Sequence, residues 1–228
     1  MTPGPPTLDE LVRLIPHRLL HESGSVLYSG RASFRRSAPV YLLGLNPGGD
    51  PDSLHHATIE RDTAWVLSEA PENWSRYRDE SWGAAPGHSP LQRRVRHLLD
   101  GLGLDPGHVP SSNLIFLRSR VEADIARSMD ALVEPCWPFH QANIDRLDVK
   151  TIVCFGASVA GHVRSRLNAS HQWGQFKESN RRGWTSRGFE SPHGPDVVQV
   201  THPGRADWTA PSSDITPLVQ ASLRRHRS

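Results

Sequence analysis

The sequence predicts an α/β protein: a three-layer α/β/α sandwich around a central, mostly parallel four-stranded sheet. Two observations carry that prediction. Four short apolar runs, residues 39–45, 109–117, 150–155 and 196–201, read as buried strands bounded by turn-forming residues. Segments of helical periodicity separate them, the alternation that builds a sheet covered by helices. A third observation concerns the strand ends. Asn46, Asn113 and His202 fall at or near three of them, and open α/β sheets bind ligands beyond the carboxyl ends of their strands.

The elements follow in order. Leu8, Leu11, Val12, Ile15 and Leu19 keep a helical period behind Thr7, an N-cap with Glu10 three residues on. The first strand empties into the tight loop Asn46-Pro47-Gly48-Gly49. A helix is expected over 59–67, and residues 71–88, rich in Pro, Gly and Trp, read as an irregular loop. Ser89-Pro90 opens a helix with Leu91, Val95, Leu98 and Leu99 on one face, ended by Gly101 and Gly103. The second strand carries Asn113, and residues 128–147 are helical in part, interrupted by Pro135 and Pro138. The third strand passes through Gly156 into a helix over 157–167. Residues 172–176 and 183–189 are expected to pair as a hairpin. The fourth strand ends at His202-Pro203-Gly204, and a last helix covers 214–225.

At 228 residues the chain suits a single domain, assigned to residues 7–228 behind a disordered tail at 1–6. No apolar run approaches the ~20 residues of a membrane-spanning helix, and the first residues lack the basic and apolar regions of a secretory signal. Cys136 and Cys154 are too few for a four-Cys cluster or a zinc ribbon, so buried free thiols in a reducing cytoplasm are expected. Metal-ligand spacing is not apparent, and no cofactor is implied. Formal net charge is only +2, but lysine occurs only at 150 and 177, so the basic residues are otherwise all arginine. Arginine is the better bidentate phosphate ligand. It clusters at 118–120 and 181–187, among other places.

The motifs are more specific than the pattern. Gly44-Leu45-Asn46-Pro47-Gly48 resembles motif A of the uracil-DNA glycosylase superfamily, in the form carried by its single-strand-selective and mismatch-specific branches. His202-Pro203-Gly204 resembles its His-Pro-Ser motif B. Ser112-Asn113-Leu114 is similar to the central segment whose Asn reads the flipped base, and residues 153–160 to the strand–Gly–helix before motif B. The pieces stand in the family's order over residues 38–210.

The resemblance implies a monofunctional DNA glycosylase without metal or cofactor, monomeric and with no obligate protein partner. Asn46 would position the attacking water and His202 would stabilise the leaving base. Asn113 would bond the edge of the extruded base, in a pocket formed with Gly44, Leu45, Pro47, Gly48 and Gly49. Arg118, Arg120, Arg181, Arg182 and Arg205 would contact DNA, with Arg205 or Trp208 filling the gap in the duplex.

Two departures bear on substrate. The uracil-strict branch has Tyr where Gly48 stands, so this pocket is expected to admit a C5-modified pyrimidine. Residues 50–64 contain no aromatic to stack on the base and Trp65 comes only at their end, which leaves Trp74, Tyr77 or Trp82 in the Pro/Gly-rich loop for that role. Housekeeping repair of uracil, defence against viruses with modified DNA, a non-catalytic nucleic-acid-binding protein and a hydrolase of free nucleosides all remain open at this level.

Overall fold

The structure is a computed structural model that describes residues 7–35 and 37–226; the tail at 1–6 lies outside the described residues. Its strands are β1 (Val40–Gly44), β2 (Ser111–Asn113), β3 (Thr151–Phe155), β4 (His171–Lys177), β5 (Thr185–Glu190) and β6 (Asp196–Val200). They form one sheet in the order β2-β1-β3-β6-β5-β4. β2, β1, β3 and β6 run parallel and are the four expected runs.

The expected count of four strands is corrected to six among the described residues. The hairpin forms, but it also joins the sheet: β5 pairs antiparallel with β6, and β4 with β5. Without β5, one edge of β6 would keep its amides and carbonyls unpaired beside an apolar core. Phe189 of β5, opposite Val197, extends that core across the junction.

Alternate residues of the parallel strands face opposite sides, because side chains in a strand point alternately up and down. Tyr41, Leu43, Ile152, Cys154 and Val197 face one apolar cluster. Val40, Leu42, Val153, Phe155, Val198 and Val200 face the other. Helices cover both. The first side receives α1 (Leu8–Val12), α2 (Ile59–Ser68), α6 (Met129–Val133), α7 (Trp137–Arg146) and α8 (Ala157–Leu167); α5 (Glu122–Ile125) is a short turn at the rim. The second receives α3 (Arg76–Asp79), α4 (Pro90–Leu102) and α9 (Thr216–Arg225).

Local chemistry sets the boundaries. Ser89 and Gln92 close a capping box at the start of α4, and Gly103 ends it in the left-handed region. α1 stops at Val12, short of the expected Leu19, because Pro16 adopts an extended ψ and only a 3-10 turn follows at His17–Leu19. The 71–88 segment is not wholly irregular, since α3 lies inside it. β2 has three residues; the Leu114 and Ile115 amides still bond the Gly44 and Leu45 carbonyls, both at 2.8 Å, before the chain leaves the sheet.

Cys136 and Cys154 are free and buried; burial pushes the Cys136 thiol up to about 11 and the Cys154 thiol further. No helix among the described residues is long and apolar enough to cross a membrane.

Candidate active site

Parallel strands all present their carboxyl ends on one side. At that side lies a cleft of about 1060 Å³. β1 contributes Gly44, Leu45 and Asn46, β2 contributes Asn113, β3 leads to Phe155 and Gly156, and β6 leads to Thr201 and His202. Segments distant in sequence thus meet in one cavity.

Asn46 is held by its amide nitrogen. Nδ2 donates to the Pro47 carbonyl (3.0 Å), the Leu117 carbonyl (3.3 Å) and Ser119 Oγ (2.8 Å). The Ser119 hydroxyl spends its proton on the Val121 carbonyl (3.1 Å), so towards Asn46 it can only accept. Three acceptors therefore fix the amide's orientation. Oδ1 is left as an acceptor on a residue that lines the cleft.

Asn113 is buried, and its Nδ2 has no hydrogen-bond partner among the described residues. A buried amide donor without a partner is costly unless a ligand or water takes it up. Gly44 makes room for it: a Cβ there would stand 2.2 Å from Asn113 Oδ1.

His202 accepts the Gly204 amide on Nδ1 at 2.9 Å. The neutral ring therefore carries its proton on Nε2. Burial, then the nearby Arg205 charge, hold the imidazole below its usual pKa, against the opposing pull of Glu122. The ring stands edge-on to Phe155, with centroids 6.5 Å apart. Arg94 donates to the Pro203 carbonyl at 2.7 Å and anchors this loop to α4. At β3, Gly156 turns the chain into α8 with φ +114, a conformation that side chains resist.

One wall of the cleft is aromatic. Tyr77 lies 5.9 Å from Tyr28, 5.8 Å from Trp82 and 6.3 Å from Phe155, centroid to centroid. Of the three aromatics expected to compete for the stacking role, Tyr77 and Trp82 line the cleft. Trp65 and Trp74 pair with each other at 5.0 Å and do not. Tyr28 and Phe155 also line it, and sequence reasoning missed both. Phe155 had a signal, its place at the end of a strand; Tyr28 lies in a segment without motif or period.

Beside this wall Arg76 and Glu80 also line the cleft: Arg76 bridges Asp62 (2.7 Å) and Glu80 (3.0 Å), while its guanidinium sits 4.7 Å from the Tyr28 ring centroid. Burial works against the charge, and the two carboxylates hold Arg76 protonated. Ser25 donates to Asp62 (2.7 Å) and Trp82 to Glu80 (2.7 Å), so the network is tied into the wall. Sequence reasoning gave no sign of it.

The remaining expected residues divide. Gly48 lines the cleft, and a Cβ there would meet nothing within 4 Å. Pro47 and Gly49 do not line it. Pro47 supplies its carbonyl to Asn46, and Gly49 bends the loop at φ +113. Arg118 lines the cleft and donates to the Gly48 carbonyl and to Ser23 Oγ. Arg120 also lines it and is bridged to Asp50 (2.7 Å) and Asp52 (2.9 Å). Arg205 is exposed at the cleft, Arg182 donates to the Arg205 carbonyl (2.8 Å), and Arg181 is exposed away from the lining. Trp208 is corrected. It is 0% exposed, packs against Phe155 and donates to the Thr201 carbonyl, so it braces the His202 loop and cannot enter a duplex. Among the described residues no group of three or more His, Cys, Asp or Glu is placed to hold a metal ion.

No protein-family model matches the chain. No curated protein matches it either.

Proposed function

We propose that this chain is a monofunctional DNA glycosylase of the uracil-DNA glycosylase type. In this reading it takes an extruded, damaged or C5-modified pyrimidine into the cleft and hydrolyses its N-glycosidic bond, leaving an abasic site. One observation carries the reading. Asn46 and His202 reach the same cleft with one polar atom of each already engaged, so Asn46 offers an acceptor and His202 an N–H donor.

That pair suits the chemistry. The C1′–N1 bond breaks with its electron pair passing to the base, where the charge spreads onto O2. A neutral His202 donates a hydrogen bond from Nε2 to that oxygen as charge develops. The sugar is left with cationic character at C1′, and a water held by Asn46 Oδ1 adds its oxygen there. Asn46 is too weak a base to deprotonate the water first; the proton leaves once the C–O bond forms and is matched by protonation of the departing base. Asn113 Nδ2 donates to an acceptor on the base edge. No lysine is among the residues lining the cleft, which supports water rather than an amine as the nucleophile.

The open space beside Gly48 and the size of the cleft favour a substituted pyrimidine over plain uracil. A pocket of roughly 300–1,000 Å³ already holds a drug-sized ligand. Excision of such a base throughout a viral genome would be destructive, so antiviral defence is the role this substrate fits. The fold reading that accompanies it is the three-layer, uracil-DNA glycosylase-like sandwich extended by a hairpin.

The test is a glycosylase assay with abasic sites as readout. Its substrates are oligonucleotides carrying uracil, hypoxanthine or 5-hydroxymethyluracil, and phage DNAs with normal, hydroxymethylated or glucosylated cytosine. Abasic sites confined to modified DNA and lost in Asn46→Ala are the expected result. Cutting of uracil alone would assign housekeeping repair, and no cutting of any DNA would overturn the reading.

A further inference from the structure

Large apolar side chains exposed among the described residues are Leu14, Trp65, Val121 and Trp184. Two of them, Val121 at 57% and Trp184 at 37%, line the same cleft. The aromatic wall of Tyr28, Tyr77 and Phe155 is buried, so these two mark the mouth and not the floor. Trp65 is engaged edge-on with Trp74. Trp184 has no aromatic partner among the described residues. Its neighbour is a cation: the Arg182 guanidinium lies 4.6 Å from its ring centroid.

The mount is well fixed. Trp184 sits where the hairpin turn enters β5, and its backbone carbonyl accepts the Glu178 amide at 2.8 Å. Gly183 before it turns at φ +59. Arg182 is tied to the Arg205 carbonyl at 2.8 Å, which links the hairpin to the loop carrying His202. Arg182 is held against Trp184 by the buried Glu178 carboxylate at 3.5 Å, and the exposed Arg205 adds a cation beside the flat π surface of the indole. Nucleobases on a phosphate strand match both features, and stacking on aromatic side chains is how proteins hold unstacked bases.

We propose that Trp184 is a stacking platform at the mouth of the cleft, taking a nucleobase that adjoins the extruded nucleotide. The identity of the strand rests on the glycosylase reading; the platform itself rests on the exposed indole. Arg182 backs the ring, and Arg205 supplies charge to the flanking phosphates. A base within an intact duplex is already stacked on its neighbours, so the platform favours single-stranded or locally opened DNA.

The test uses the full chain and a single-stranded oligonucleotide with a tetrahydrofuran abasic analogue flanked by 2-aminopurine. Binding is read by anisotropy of an end label, and stacking by 2-aminopurine fluorescence. Trp184→Ala is expected to raise Kd roughly 10-fold and to relieve the quenching of 2-aminopurine, whereas Trp184→Phe stays within about 3-fold of the parent. The backbone bond to Glu178 survives both changes, and circular dichroism checks the fold. If the parent binds and quenches and Trp184→Ala does the same, the platform is refuted while the glycosylase reading stands. If the parent binds no nucleic acid, both fall; a parent that binds without quenching removes the platform alone.

Discussion

Gly44 and Asn113 are paired across β1 and β2, and a methyl group on Gly44 would stand 2.2 Å from Asn113 Oδ1. The atom in the way is the end of a side chain, which can rotate, and not backbone. Gly44→Ala is therefore expected to fold with a Tm within a few degrees of the parent while pushing the Asn113 amide out of place. Misplacing a substrate-contacting group by about 1 Å costs on the order of 10²-fold in rate. Excision by Gly44→Ala should fall by about that factor, as it does in Asn113→Ala, and the double variant should lose little more. Additive losses in the double variant would show that Gly44 acts otherwise.

Ser119 lines the cleft and accepts from Asn46 Nδ2, and so orients that amide. In Ser119→Ala the amide keeps its two carbonyl partners but loses the acceptor at 2.8 Å. A fall of about 10-fold in kcat with KM nearly unchanged is expected, against 10²- to 10³-fold for Asn46→Ala. Ser119→Thr keeps the hydroxyl and should restore most of the rate. An equal loss in the Thr and Ala variants would point to packing instead.

In the proposed mechanism His202 is a neutral donor, and its pKa lies below the usual imidazole value. Protonation would place a proton on Nδ1, where the Gly204 amide now donates, so activity is lost on the acid side. Arg205 helps hold the pKa down and Glu122 works the other way. Arg205→Ala should move the acidic limb of the pH–rate profile to higher pH, and Glu122→Gln should move it lower. A limb that ignores both changes would remove His202 from this role.

His140 carries a pH signature of stability, distinct from activity. Its Nδ1 faces the Tyr41 hydroxyl at 2.7 Å and its Nε2 the Leu114 carbonyl at 3.2 Å, and burial pushes its pKa down to about 3. The unfolded value is about 6.5. Between those limits the unfolded chain binds the extra proton, so stability is full above about pH 6.5 and falls as the solution is acidified towards 3. One proton corresponds to a slope of about 1.4 kcal/mol per pH unit at most. Urea unfolding from pH 7 to 4.5 should show a shallower acid decline for His140→Gln than for the parent, by up to that slope.

Much of this layout is legible in the sequence, and the exceptions have physical reasons. β1, β3 and β6 are apolar runs buried on both faces, and α4 and α8 are bracketed by Ser89-Pro90, Gly103 and Gly156, which local chemistry alone explains. Asn46, Asn113 and His202 are legible as a set because parallel strands deliver their ends to one side. The docking of the hairpin is not legible, since β4 has only exposed and half-buried positions and two of the three buried residues of β5 are Ser186 and Gly188, so neither strand reads as an apolar run. Trp208 follows motif B as a wedge would, yet the sequence does not reveal that its ring turns inward onto Phe155. The Arg76 network and His140 are long-range: Arg76 meets Asp62 fourteen positions away, and His140 meets Tyr41 ninety-nine away. No local pattern marks such pairs.

The position of β6 has a consequence for synthesis. β6 lies between β3 and β5, yet it is made after both. Until residues 196–200 have left the ribosome, the parallel half and the hairpin each carry an open edge and cannot join. Such non-local closure is slow, and waiting edges invite pairing with other chains. His202 follows β6 by two residues, so the strand that seals the sheet also delivers His202 to the cleft. A nascent chain cannot assemble the complete cleft before its sheet is closed, which ties the site to a late step of assembly.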